Sequence, residues 1–129
     1  MQFEFTLSTE KDLAAAAAAV EQALAERKFM VLWSLDMNAK LAEKGLSTAT
    51  QFKVLEVCNA VRAKEALDAN PLVGYFLPCK VVVYQRPGEA AHIGLVKPTA
   101  LIGLLDDPQL AQLARDVEAT LVEAVEAAT

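Results

Sequence analysis

The chain has 129 residues and a formal net charge of −5, and this length suits one domain with a core of its own. Hydrophobic residues make up 54% of the sequence, and alanine accounts for much of that share. The longest alanine-rich run, residues 13–20, is bracketed by charged residues and is far shorter than the roughly 20 apolar residues that span a bilayer. We therefore expect a single domain over residues 1–129 with no membrane partner.

The negative charge is concentrated near the C-terminus. Residues 98–129 carry Arg115 against six acidic residues, whereas the charges of residues 1–97 cancel. Such a segment repels phosphate and no basic run compensates for it, so nucleic acid is not an expected partner. The first residues lack the basic and apolar regions of a secretory signal, and two cysteines are too few for a disulfide framework. We expect a cytoplasmic protein.

The chain begins with a strand and a helix. Residues 2–7 alternate apolar and polar side chains, which predicts a strand with one buried face. Ser8 or Thr9 is expected to cap the helix that follows, and apolar residues at helical spacing extend it to about Lys28.

A second strand and a short helix come next. Alternation over residues 29–37 predicts a strand with three apolar side chains on one face, Val31, Trp33 and Leu35. Residues 39–44 are predicted to form a short helix between Asn38 as its cap and Gly45 just beyond its end.

The middle of the chain contains three more strand patterns. Residues 50–58 form the third, and Asn59 caps the helix that follows it. Residues 77–86 are rich in valine and form the fourth. The Pro-Gly step at 87–88 turns this strand directly into the fifth, residues 91–97.

A long helix closes the pattern. Asp106 or Asp107 caps it, and Pro108 lies in its first turn. The order β-α-β-β-α-β-β-α, with the short helix inserted after the second strand, predicts an α+β fold. We expect a largely antiparallel sheet of about five strands with two long helices packed on one face.

Two cysteines are the candidate catalytic residues. Cys58 precedes the expected cap Asn59 and so lies near the positive end of a helix dipole, which favours a thiolate. Cys79 lies close to Cys58 if the third and fourth strands are antiparallel neighbours, and a strand length away if they are parallel. Each thiol could equally be a small buried core residue.

The sequence contains one histidine, His92, on the strand face opposite Ile93. Together with Cys58 and Cys79 it would be the minimum set for zinc, but no short ligand spacing such as CxxC is present, so no metal site is predicted. The motifs of common hydrolases and of nucleotide- and dinucleotide-binding proteins are also missing, so no cofactor is predicted. The candidate ligand-binding residues are Asn59, Tyr75 and His92.

Two connecting segments are unusually apolar. Residues 70–80 place Tyr75 and several aliphatic side chains where a polar loop is normal, and residues 98–105 repeat this pattern. Such connectors can cover the core, line a ligand cavity or meet another subunit.

A Cys-Asn step leads into an alanine-containing helix, and a glycine, a Leu-Pro-Cys step and a valine-rich strand follow. The residues that carry this pattern are Cys58, Asn59, Ala63, Ala66, Leu67, Gly74, Leu77, Pro78, Cys79 and Val81 to Val83. The chain thereby resembles, over nearly its whole length, the family called domain of unknown function 302, although Ala60 and Lys80 depart from the usual proline and neutral residue. The resemblance implies a fold similar to the TATA-box-binding-protein class, with a curved sheet gripping helices, and a homodimer. It does not imply DNA binding, because this chain is acidic.

Two functional hypotheses follow. In the first, the chain is a homodimeric cytoplasmic binding or accessory module whose apolar connectors form the dimer contact or a pocket. In the second, it is a thiol-dependent redox or sulfur-carrier protein with Cys58 as nucleophile and Cys79 as its resolving partner. The second hypothesis needs a pKa of Cys58 well below the usual value of about 8.5.

Overall fold

The computed structural model describes residues 2–129, which form one sheet and the helices packed around it. The strands are β1 (Glu4–Thr9), β2 (Met30–Asp36), β3 (Gln51–Cys58), β4 (Cys79–Gln85) and β5 (Ala91–Val96). The helices are α1 (Leu13–Glu26), α2 (Met37–Glu43), α3 (Ala60–Ala69), α4 (Pro98–Ile102) and α5 (Pro108–Ala128), with 3₁₀ turns at Pro71–Tyr75 and Gly103–Leu105.

The sheet is open, and its strand order is β1-β5-β4-β3-β2. Every neighbouring pair is antiparallel. Because β1 and β2 stand at the two ends of the order, they are the edge strands. The predicted α+β class with a five-stranded antiparallel sheet is confirmed, while the likeness to the TATA-box-binding-protein class stays a prediction. Within residues 2–129, every helix falls short of the length or apolarity that a bilayer-spanning segment requires.

Helices α1 and α5 cover one face of the sheet and bury its core. Alternate residues of the three central strands point towards them and are at most 2% exposed: Leu55, Val57, Val81, Val83, Ile93 and Leu95. A second, smaller core joins α3, the first 3₁₀ turn, α4 and the start of α5 through Ala66, Val73, Ile102, Leu110 and Ala114. Removing such aliphatic surface from water is the main stabilising contribution to both clusters.

Several predicted helix ends are confirmed. Asn59 caps α3, because its Oδ1 accepts a hydrogen bond from the backbone N–H of Arg62 at 3.1 Å. Asp107, one of the two candidates, caps α5 in the same way. Gly45 follows α2 with φ +72°, the left-handed conformation that favours glycine.

Two predicted caps are wrong. The cap of α1 is Asp12, not Ser8 or Thr9, because β1 continues through Thr9, which is in register with Ala91 of β5. The cap of α2 is Asp36, which leaves Asn38 inside the helix.

Asn38 still has a structural role, which differs from the predicted one. Its side chain donates to the carbonyl oxygen of Thr50 and accepts from the N–H of Phe52, at 3.0 and 2.8 Å. These bonds attach α2 to the start of β3 rather than close the end of a helix.

The sheet face predicted for Trp33 and Leu35 is also wrong. The pairing of β2 with β3 shifts register between Val31 and Trp33, which is the mark of a β-bulge. Val31 lies in register with buried Val57, but Trp33 lies in register with Glu56, on the sheet face away from α1 and α5. Because a bulge adds one residue to a strand, it reverses the alternation beyond it.

Helix α4 was predicted only as an apolar stretch. No side chain at its own start caps it, and Glu118 of α5, which is 19 residues from Thr99 in sequence, takes that role. Glu118 Oε1 accepts from the backbone N–H of Thr99 at 3.1 Å and from the Thr99 hydroxyl at 2.6 Å. The position of α4 is therefore determined by α5.

Candidate functional site

The two apolar connectors meet at one end of the sheet and border an open cavity of about 580 Å³. The first connector supplies residues 75–80, the second supplies Pro98, Leu101 and Ile102, and Val96 at the end of β5 adjoins them. Trp33 and Glu56 complete the lining from β2 and β3. The volume lies within the roughly 300–1,000 Å³ of small-molecule sites. We refer to this space as the outer cavity.

Specific contacts position each wall of the outer cavity. The bulge in β2 brings Trp33 to it, as described above. The first connector turns at Asn70, whose Oδ1 accepts from Leu72 N and whose Nδ2 donates to Asp107 Oδ2. The second wall is α4, which Glu118 holds against α5. The cavity is thus built from four separate parts of the chain.

One ion pair borders the outer cavity. Lys80 Nζ lies 3.4 Å from Glu56 Oε1, and the two residues are cross-strand partners in β4 and β3. Glu56 is the more buried partner, with 18% of its side chain exposed against 47% for Lys80. The remaining lining is largely aliphatic and aromatic. A ligand in this space would therefore meet apolar walls and one neutralised pair of charges.

Strands β3 and β4 are antiparallel neighbours, which is the alternative that would place the two cysteines near each other. Val57 is the cross-strand partner of Cys79, so Cys58 is one residue from that register. Both side chains line a second, small apolar cavity of about 30 Å³ between β3, α3 and α5. We refer to this space as the inner cavity. Both cysteines are free thiols.

Neither thiol has the low pKa that nucleophilic chemistry would need. Burial raises the pKa of the Cys58 thiol. Burial also raises the pKa of Cys79, to about 11, and the negative charges of Cys58 and Glu56 add to this effect. The pKa of the Cys58 thiol is thus shifted upward, opposite to the lowering expected from its place beside the start of α3, and the cause is the loss of hydration on burial.

The three candidate ligand-binding residues are not brought together. Tyr75 borders the outer cavity and is 84% exposed. Asn59 borders the inner cavity, and its Oδ1 is engaged as the α3 cap. His92 lies on the sheet face away from the long helices, where Tyr84 stacks between it and Phe52 with ring centroids 5.1 and 5.3 Å apart.

His92 has one distinctive feature. Its Nδ1 is buried and accepts no hydrogen bond from any of residues 2–129. Within the same part of the chain, no group of three or more His, Cys, Asp or Glu side chains is placed to hold a metal ion.

Sequence reasoning missed the site contributions of Trp33, Glu56 and Leu101. Trp33 was assigned to the other face, and nothing local marks Glu56 as a cavity residue. Leu101 lay within a connector that the sequence did flag as apolar. The signal in the sequence that points to these residues is the apolar composition of both connectors, because apolar connectors must pack against some other part of the chain.

A larger depression, of about 670 Å³, lies at the opposite end of β3. It is a poorer candidate site because polar residues outnumber apolar ones in its lining and four of them already have hydrogen-bond partners: Asp12, Asp36, Asn38 and Gln85. Asp12 accepts from Ala15 N and Asp36 accepts from Ala39 N, each as a helix cap.

Fold and cavity together define a small α+β protein with an apolar cavity at one end of an open antiparallel sheet. The family model described as Domain of unknown function DUF302 matches residues 5–128, and the chain belongs to this family. A crystal structure of an uncharacterized conserved protein DUF302 from Bacillus stearothermophilus is 40% identical in sequence, with a TM-score of 0.95 over 100% of both chains. No curated protein matches the sequence.

Proposed function

We propose that the chain is a cytoplasmic, homodimeric binding module whose ligand is a small, largely apolar molecule held in the outer cavity. One observation carries this proposal: two connectors that are distant in sequence converge with Trp33 on a single space of ligand size. Free thiols agree with the reducing compartment that the proposal assumes.

The chemistry of the lining supports binding rather than catalysis. Cys79 is the cysteine of the cavity lining, and its pKa of about 11 keeps the thiol protonated, and so weakly nucleophilic, near neutral pH. The Lys80–Glu56 pair is already neutralised internally. Apolar walls and a rim of aromatic rings are the features of a recognition site.

The cavity contains its own reporter, since Trp33 is the single tryptophan of the chain. We expect N-phenyl-1-naphthylamine, a neutral apolar fluorophore, to bind with an increase in its emission and energy transfer from Trp33. Leu101→Arg places a charge in the cavity and should abolish both signals. Leu46→Arg is the matched control, because Leu46 is 59% exposed and lies outside the cavity.

Two results would contradict the binding proposal. One is the absence of any emission increase with the unaltered protein. The other is unchanged fluorophore binding in a folded Leu101→Arg variant.

The homodimer part of the proposal depends on the surface beside the cavity. Four large apolar side chains of β2 and the two connectors are at least half exposed: Trp33, Leu72, Tyr75 and Leu104. Exposed apolar patches of this kind commonly form contacts between subunits, and symmetric dimers are the most frequent outcome. A second copy of the chain is the occupant that we propose.

Analytical ultracentrifugation tests the dimer without disturbing the cavity. The unaltered chain should sediment as a dimer, and its Tm should rise with protein concentration. A Leu72→Lys, Leu104→Lys double variant should sediment as a monomer, while Leu46→Lys should not differ from the unaltered chain. A monomeric unaltered chain, or a double variant that still dimerises, would count against this part.

A further inference from the structure

The inner cavity adjoins the outer cavity behind a thin apolar partition. Leu77, Cys79 and Ile102 line both spaces. These side chains are aliphatic or, at Cys79, small and polarisable, so the boundary contains no charged group. The two cavities are therefore neighbours that are separated only by these three apolar side chains.

The inner cavity is small but well defined. Its volume of about 30 Å³ is similar to the roughly 30 Å³ of one molecule of liquid water, and a methylene group is of comparable size. Its lining is predominantly apolar and includes Ala63 and Ala66 of α3. An apolar space of this kind favours a hydrocarbon over water.

One border of the outer cavity is polar but carries no net charge. Lys80 and Glu56 neutralise one another's charge at 3.4 Å. An ammonium group has three N–H donors and a carboxylate has two acceptor oxygens, so the pair can also hydrogen-bond to an uncharged ligand group. A ligand carboxylate would compete with Glu56 for Lys80, and a ligand ammonium would compete with Lys80 for Glu56. Either one would leave a partly buried charge without its partner.

We propose that the ligand is an elongated neutral amphiphile with an unbranched alkyl chain. Its uncharged polar end hydrogen-bonds to the Lys80–Glu56 pair, and its chain parts the shared wall beside Cys79 so that its terminal methyl group enters the inner cavity. This inference rests on the proposed function, because it names the class of molecule that occupies the outer cavity.

Titration calorimetry with hexanol, octanol and decanol tests the position of the chain end. Affinity should increase along this series, because each further methylene is removed from water. Ala63→Leu fills the inner cavity and should weaken decanol binding about fourfold, which corresponds to the loss of roughly one buried methylene. Hexanol, which is too short to reach the inner cavity, should bind Ala63→Leu nearly as well as it binds the unaltered chain.

A matched substitution controls for effects on α3 itself. Ala60→Leu is on the same helix, but residue 60 is exposed and lies outside both cavities. It should leave the affinities for all three alcohols unchanged. Circular dichroism confirms that both variants are folded before they are compared.

The head group is tested at constant chain length with octanol, octanoate and octylamine. Octanol should bind most tightly. Tighter binding of octanoate or octylamine would overturn the neutral head group, and equal loss of hexanol and decanol binding in Ala63→Leu would overturn the placement of the chain. These results differ from failure of the proposed function, in which none of the alcohols and no N-phenyl-1-naphthylamine would bind.

Discussion

Gly94 of β5 lies directly beneath the side chain of its cross-strand partner Thr6 in β1. A Cβ atom at residue 94 would be 2.5 Å from Thr6 Oγ1 and 3.3 Å from the Phe5 carbonyl oxygen. The Thr6 hydroxyl donates to Glu4, which holds the threonine in place and lowers the pKa of Glu4. Glycine is needed here because a neighbouring strand comes so close, and not for a special backbone conformation.

Gly94→Ala should therefore destabilise the protein. The added methyl group would displace Thr6 or part β1 from β5, and overpacking of this kind costs about 1–3 kcal/mol. Urea unfolding followed by circular dichroism measures the free energy of unfolding. A Thr6→Ala, Gly94→Ala double variant should recover part of the loss, because the nearest clashing atom is then gone. Equal stability of Gly94→Ala and the unaltered chain would show that β1 adapts freely.

Burial of the Cys79 thiol predicts a loss of stability at high pH. The folded-state pKa is raised to about 11 from an ordinary value of 9.0, so the unfolded chain loses this proton first as the pH rises. The stabilising contribution is complete below pH 9 and is lost as the pH rises towards 11, so the free energy of unfolding falls by about 2 kcal/mol over this range.

Comparison with Cys79→Ala isolates this contribution from the other groups that titrate at high pH. Urea unfolding of both proteins at several pH values between 8 and 11 should show a steeper fall for the unaltered chain. Parallel curves for the two proteins would mean that the Cys79 thiol keeps an ordinary pKa in the folded state.

Asn59 should act on stability and not on binding in the outer cavity. Asn59→Ala removes the bond from Arg62 N that begins α3, and the loss of a cap costs about 1 kcal/mol. Asn59→Asp retains an acceptor and should keep most of the stability. Thermal unfolding measures the effect on stability, and titration with N-phenyl-1-naphthylamine measures the effect on binding. A large change in fluorophore affinity with little change in Tm would assign Asn59 a direct role in the site.

Elements set by local chemistry were predictable from the sequence. Asn59 and Gly45 mark helix ends through their own side chain or backbone conformation, and both predictions are confirmed. The cap of α1 was not predictable in this way. Thr9 is drawn into β1 by its pairing with Ala91, which is far away in sequence, and the helix therefore begins later, at Asp12.

The candidate site was only partly predictable for the same reason. The apolar composition of both connectors indicated that they must be buried, but not that they face each other. Their convergence depends on Glu118, which positions α4 through Thr99, and on Asp107, which holds Asn70. The low pKa expected for Cys58 failed because position along the chain indicates a helix dipole but not the loss of hydration.

The bulge in β2 also affects how this edge of the sheet meets other chains. Strand β2 exposes an unpaired row of backbone groups, which can recruit a foreign strand and start aggregation. A regular incoming strand cannot follow the ladder past the extra residue between Val31 and Trp33, because its hydrogen-bonding groups fall out of step there. The irregularity that brings Trp33 to the cavity thus also protects an exposed edge from edge-to-edge polymerisation.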